Sequence, residues 1–158
     1  MGSTTSTPGL PRRRLGRTGC TVSILGVGGW LGILEDPQAE RAAKEAAAIR
    51  TVRCAIDRGV NYFDTSPSYG DAEQHLGVAL KALPAEDRAR LYVSSKVGTH
   101  PQRPHQYDAD SIRWSMEQSL GVLFSDRLDI VYIHDPAADE QMVQIMGPGG
   151  AVEALEGL

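Results

Sequence analysis

The sequence predicts an α/β fold built on a parallel sheet. Three observations carry that reading. After a small hairpin, short β-prone runs alternate with amphipathic helical stretches through four strand–helix units, the pattern of a parallel sheet with helical crossovers. Residues 128–134 are nearly continuous in apolar side chains, as a parallel strand buried on both faces should be. Three of the strands end on a lone ionisable residue, Asp64, Lys96 and His134, and the carboxyl ends of parallel strands are where α/β folds carry their working groups.

The elements follow in order. Residues 1–11 are rich in Ser, Thr, Pro and Gly and read as a disordered tail, with 12–158 as one domain. Residues 13–23 read as two short strands about a glycine-containing turn. Residues 24–30 read as a buried strand ending in Gly28, Gly29 and Trp30, glycines that allow close backbone approach. Residues 39–57 form a helix with Ala48, Ile49, Val52, Ala55 and Ile56 on one face, closed by Gly59 at a left-handed C′ position. A strand follows over 60–65, then a Pro67–Gly70 turn carrying Tyr69. A helix over 71–83 opens on Asp71 and Glu73 and is stopped by Pro84. Residues 91–98 are the next strand, followed by a loop over 99–107. A helix capped by Asp108 or Asp110 presents Ile112, Met116, Leu120 and Leu123. Beyond the strand at 128–134, a loop rich in Asp and Gly leads to the first turns of a helix at 151–158.

Composition narrows the function classes. Of 158 residues, 41% are hydrophobic and 23% charged, ordinary for a globular protein. A net charge of -4 argues against nucleic acid as a partner, and the cluster Arg12, Arg13, Arg14, Arg17 is short and local. Two cysteines, Cys20 and Cys54, without CxxC spacing suggest a reducing, cytoplasmic setting. No apolar run reaches the ~18 residues of a membrane helix. Residues 1–6 fit the short, common N-myristoylation pattern, which a Ser/Thr-rich tail also produces.

Strand side chains alternate with period two. Asp64 therefore shares a face with Tyr62, Lys96 with Ser94 and Tyr92, and His134 with Tyr132, all pointing to one interior. The opposite parity holds Phe63, Val93, Val131 and Ile133, suited to packing on helices. A carboxylate, a phenol, an amine and an imidazole together suit proton transfer at a carbonyl or alcohol. A free phenol has a pKa of roughly 10 and needs a neighbouring cation to work at neutral pH. Lys96 could supply the charge, Asp64 could hold Lys96 oriented, and His134 could bond the substrate oxygen. No side chain accepts hydride, so oxidation or reduction would need a bound cofactor. Each residue also has a structural reading: Asp64 as a turn cap, Tyr69 as packing, Lys96 as a solvated strand end, His134 as a satisfied histidine. A rival chemistry would use His134, Asp135 and Asp64 as metal ligands, but no paired-His motif accompanies them, and no metal is expected. Neither a G-x-G-x-x-G nor a P-loop pattern is present.

At these residues the chain resembles the aldo-keto reductase superfamily, from about Arg13 onward. The stretch Gly59-Val60-Asn61-Tyr62-Phe63-Asp64-Thr65-Ser66, with Tyr69-Gly70, Glu73, Leu76 and Gly77, resembles its signature. Val93 to Gly98 and Leu128 to Pro136 resemble later strands, and Tyr132 to Pro136 with Pro148-Gly149-Gly150-Ala151 looks most like the galactose- or fucose-type aldose dehydrogenases. The resemblance implies a TIM-type (β/α)₈ barrel, here incomplete: the N-terminal hairpin and about four βα units of a fold that needs roughly 250 residues. It implies NADP or NAD as cofactor and a small carbonyl or sugar hemiacetal as substrate. Tyr69 becomes the proton donor or acceptor, Lys96 the cation that eases its ionisation, Asp64 the support of Lys96, and His134 the group that orients the substrate oxygen. Gly28, Gly29, Trp30 and Asp64 become the cofactor-side residues, with Gly29 where family members often carry Thr. The expectation is an amino-terminal portion that alone binds NAD(P)H weakly and turns over little. The alternative is a non-catalytic half-barrel that self-associates through open sheet edges.

Overall fold

The computed structural model describes residues 9–29, 31 and 40–158. Trp30, most of the tail and the first residue of the expected 39–57 helix lie outside the described residues.

Strands β1 (Arg12–Arg14) and β2 (Thr21–Ser23) pair antiparallel, with Arg13 opposite Val22. The buried Asn61 ties this hairpin to the sheet: its side chain accepts from Ser23 N at 2.7 Å and donates to Thr21 O at 3.0 Å. The Tyr92 hydroxyl accepts from Thr21 N. Asn61 and Tyr92 stand at the amino ends of the next two strands, so the hairpin closes the end of the sheet opposite Asp64.

The buried strand expected over 24–30 is corrected to a single parallel bridge, Val27 to Phe63. Val27 N donates to Tyr62 O, Asp64 N to Val27 O and Gly29 N to Asp64 O. Ile24 and Leu25 are exposed. Gly26, Gly28 and Gly29 bring no side chains to pack, and among the described residues this segment is bonded to the sheet on one side only.

Helix α1 (Arg41–Asp57) buries Ala47, Ala48 and Val52 and ends in the expected way. Gly59, at φ +92°, donates to Ile56 O, and Val60 N donates to Ala55 O. These two bonds make a Schellman motif, which glycine permits because it has no Cβ. Strand β3 (Tyr62–Asp64) leads through the Tyr69 turn to α2 (Ala72–Lys81). Ala72, Leu76, Ala79 and Leu80 recur at helical spacing and are buried there. Asp71 makes no side-chain cap, and Glu73 turns inward rather than capping. Pro84 ends that helix and starts a further short one, α3 (Ala85–Arg88), not anticipated from the sequence.

Strand β4 (Tyr92–Val97) is followed by a small hairpin, β5 (Thr99–His100) and β6 (Arg103–Pro104), inside the expected loop. Helix α4 (Ala109–Val122) is capped by Asp108, whose side chain accepts from Ser111 N at 2.9 Å. Strand β7 (Ile130–Ile133) is not buried on both faces: Tyr132 is 45% exposed, because among the described residues β7 pairs only with β4. The stretch expected to be an Asp- and Gly-rich loop contains α5 (Asp139–Met146), and α6 (Ala151–Glu156) follows.

The parallel strands run Val27, β3, β4, β7 in chain order, so the sheet winds in one direction. A doubly wound sheet reverses its order at a switch point; this one does not. It is an incomplete α/β barrel. One core cluster, including Val52, Phe63, Leu76, Leu80, Val93 and Leu123, lies under α1 and α2. A second, around Val97, Tyr107, Ile112 and Ala154, lies under α4 and α6. Among the described residues, no helix is long and apolar enough to cross a membrane.

Candidate active site

The site is assembled at the carboxyl ends of β3, β4 and β7. Register sets its inner face: Asp64 lies beside Ser94, and Lys96 beside Tyr132. Ser94 Oγ donates to Asp64 Oδ1 at 2.6 Å. That uses the only hydroxyl proton of Ser94, so Tyr62 OH, at 3.0 Å, donates to Ser94, and Tyr132 OH, at 3.2 Å, donates to Tyr62. The residues of one strand parity thus form a directed chain of hydroxyls ending on a carboxylate. Burial, with Tyr132 and Asp64 adding to it against the Ser94 bond, pushes the Tyr62 phenol up to about 12, so Tyr62 stays a neutral donor.

Lys96 is the buried cation of the site. Its ammonium donates to Asp64 Oδ2 at 2.7 Å and to Thr65 O at 2.9 Å. The turn after β3 brings Tyr69 over this group. Tyr69 N donates to Ser66 O, Ala72 N to Tyr69 O, and Gly70 takes φ +55°, so the chain doubles back across the sheet end. The Lys96 ammonium then lies 4.8 Å from the centre of the Tyr69 ring. The His134 ring meets Tyr69 edge-on, with centroids 5.7 Å apart and planes at 83°. Asp64, Tyr69, Lys96 and His134 therefore converge, although their sequence spacing differs at every step.

His134 is fixed by groups that sequence reasoning missed. Its backbone N donates to Val97 O, and Tyr107 OH donates to its carbonyl at 2.8 Å. Nδ1 faces three hydroxyls, Thr99 Oγ1 at 2.7 Å, Ser68 Oγ at 3.4 Å and Ser66 Oγ at 3.5 Å. Nε2 lies 3.6 Å from Asp135 Oδ2. Burial lowers the His134 pKa; Asp135 and Asp64 pull it back up, and Lys96 pushes it further down. Thr99 follows directly on Gly98 at a strand end, a position that could have marked it. The partners of Ser66, Ser68 and Tyr107 depend on turns that periodicity does not describe.

Behind the sheet, Glu73 is almost wholly buried and accepts from Ser95 Oγ at 2.5 Å. Burial raises its pKa, against the Ser95 and Ser119 hydroxyls and the Lys96 charge. Among the described residues, no three His, Cys, Asp or Glu side chains gather as a metal-ligand set.

A concave cavity inside the sheet is lined by Val22, Gly26, Val27, Gly28, Tyr62, Asp64, Lys96 and Tyr132. A Cβ on Gly28 would touch Asp64 at 3.4 Å, whereas Gly29, at φ +72°, faces open space. Bare backbone therefore borders the Asp64–Lys96 pair, room that suits a flat ring lying against it. The arrangement can deliver a proton from a phenol under a buried ammonium and bond the same substrate oxygen from an imidazole.

The profile of the Aldo/keto reductase family matches residues 25–158. The chain is 40% identical over 126 residues to an L-galactose dehydrogenase of Arabidopsis thaliana, covering 78% of this chain and 37% of that protein. It is 36% identical over 132 residues to a 6-dehydroglucose reductase of Novosphingobium aromaticivorans, covering 78% and 41%. Among solved structures, an aldo-keto reductase of Pseudomonas aeruginosa described as putative superposes with a TM-score of 0.74 at 30% identity, over 93% of this chain and 54% of that one. The chain thus spans about two fifths of the length of these curated relatives.

Proposed function

The chain belongs to the aldo/keto reductase family, and from that premise we propose that its site interconverts a carbonyl or sugar hemiacetal with the corresponding alcohol or lactone. The observation that carries this reading is the Lys96 ammonium, bonded to Asp64 and lying against the Tyr69 ring with His134 edge-on beside it. Tyr69 delivers a proton to the substrate oxygen during reduction and takes one during oxidation. Lys96 supplies the positive charge toward which negative charge on the Tyr69 oxygen develops. Asp64, anchored by Ser94, holds the Lys96 ammonium aimed. His134 presents Nε2–H to the substrate oxygen: Asp135, an acceptor only, favours a proton on Nε2, and the Thr99 hydroxyl can donate to Nδ1.

A nicotinamide dinucleotide, NADP or NAD, would supply or accept the hydride when bound. Gly28, Gly29 and Asp64 would border its nicotinamide end, where the exposed backbone leaves space; Trp30, the remaining expected contact, lies outside the described residues. The two relatives are named for sugar chemistry, which supports an aldose-like substrate here. Both cysteines are free thiols, supporting a reducing, cytoplasmic setting.

A second reading, a self-assembling half-barrel, draws support from the exposed Tyr132 on β7 and from a groove in which Leu128, Val131, Leu155 and Leu158 are flanked by the charged Arg113, Glu117, Asp126 and Arg127. One experiment separates the two: oxidation of galactose with NAD or NADP, with Tyr69→Phe alongside. We expect slow turnover by the chain, and the variant to keep its circular dichroism and lose on the order of 10²–10⁴-fold of that rate. An unchanged rate in Tyr69→Phe would refute the proton-transfer role. Absent turnover with a discrete dimer in gel filtration would favour assembly.

A further inference from the structure

We infer that Asp135 is a specificity-determining residue that selects polyhydroxylated substrates, its carboxylate accepting a hydroxyl proton from the carbon next to the one that reacts. The inference rests on the proposal that the reacting oxygen lies on His134 Nε2.

Three observations carry it. The first is placement. Asp135 follows His134 directly, and its backbone lies in the left-handed region at φ +44°, which folds the side chain back toward the ring it has just passed. Its Oδ2 then lies 3.6 Å from Nε2, on the nitrogen opposite the hydroxyls of Thr99, Ser66 and Ser68. His134 is thus fixed from one side and offered a carboxylate on the other.

The second is availability. The Asp135 side chain is 76% exposed, and among the described residues its ion-pair partner is His134, which burial biases toward the neutral ring. Asp64, the other carboxylate of the site, is already bonded by both Ser94 and Lys96. Asp135 is the acceptor with lone pairs to spare at the mouth.

The third is chemistry. Neighbouring oxygens of a vicinal diol are spaced about as hydrogen-bonded atoms are. An oxygen on Nε2–H therefore brings its neighbour's hydroxyl within reach of a carboxylate 3.6 Å from that nitrogen. A carboxylate accepts from a hydroxyl strongly and repels an anion at the same spot, so it favours a neutral polyol and disfavours a carboxylate at the reacting carbon. A simple aldehyde gains nothing from it.

The test uses the full chain and needs no turnover. His134 ring signals are followed by NMR during titration with galactose and with galactonate, which carries a carboxylate at C1. Asp135→Asn keeps the shape and the left-handed tolerance of the residue and removes the charge. We expect it to weaken galactose about tenfold or more, the worth of a charged acceptor, and to strengthen galactonate. A structural role would move both ligands the same way; that outcome, or no change in either, overturns the inference and leaves the proposed function standing. If galactose leaves the His134 signals of the unsubstituted chain unmoved, the sugar reading itself falls, and this inference with it.

Discussion

The Asp64–Lys96 pair yields a prediction that distinguishes its two members. Lys96 Nζ is bonded by Asp64 Oδ2 at 2.7 Å and Thr65 O at 2.9 Å, and the side chains are 10% and 26% exposed for Lys96 and Asp64. Removing one partner of a buried pair costs about 3–5 kcal/mol, because the other charge is left unpaired. Asp64→Asn strands the deeper group, an ammonium facing one carbonyl and an amide, and should cost about 4 kcal/mol. Lys96→Met strands a carboxylate that water reaches and Ser94 still bonds, while the methionine refills the apolar stem, so about 2 kcal/mol is expected. The double variant leaves no unpaired charge and should cost about 2–3 kcal/mol, well short of the sum. Urea denaturation followed by circular dichroism reads all four forms, with unchanged slopes showing that the unfolding reaction is the same. Additivity within about 0.5 kcal/mol would refute the coupling, and a milder effect for Asp64→Asn than for Lys96→Met would refute the burial argument.

Two further outcomes can be checked the same way. In a helix, Gly→Ala ordinarily gains about 1 kcal/mol, but at Gly77 a Cβ would sit 2.1 Å from Val122 O and 3.0 Å from Leu123 Cα; α2 must back away from α4, and Gly77→Ala should instead lose about 3 kcal/mol, a stabilised variant being the contrary result. Glu73 holds its proton to higher pH folded than unfolded, so its contribution is whole below the unfolded pKa of about 4.3 and is lost as pH rises through the folded value. Glu73→Gln keeps an acceptor for Ser95 and removes that loss; its stability relative to the parent should climb with pH above about 4.3 and then level off, and a flat or falling difference would count against the assignment.

Much of the site was legible because strand periodicity is local. Placing Asp64 with Tyr62, and Lys96 with Ser94, requires only the alternation of side chains, and these residues form one hydrogen-bonded face. The Gly59 helix end was readable for the same reason: the motif closes within six residues. What failed depended on distant neighbours. Ile24 and Leu25 are apolar yet exposed, and Tyr132 sits in an apolar run on the inner face yet is half open to solvent, since burial is set by what lies alongside rather than by the residue itself. The inward turn of Glu73, which reads as an ordinary helix-start carboxylate, needed Ser95 from another element to receive it.

Taken alone, the order of residues determined the class of fold and which groups line its inner face, because hydrophobic period and turn chemistry act over a few positions. The tertiary structure decided the company each group keeps: a loop tyrosine brought against a strand lysine, an imidazole with hydroxyls on one nitrogen and a carboxylate near the other, a glutamate sealed behind the sheet. Except for Asp135, the chain neighbour of His134, the partners are separated by more than twenty residues along the chain, and closure of the βα units, driven by burying the apolar faces of α1, α2 and α4, brings them within bonding distance.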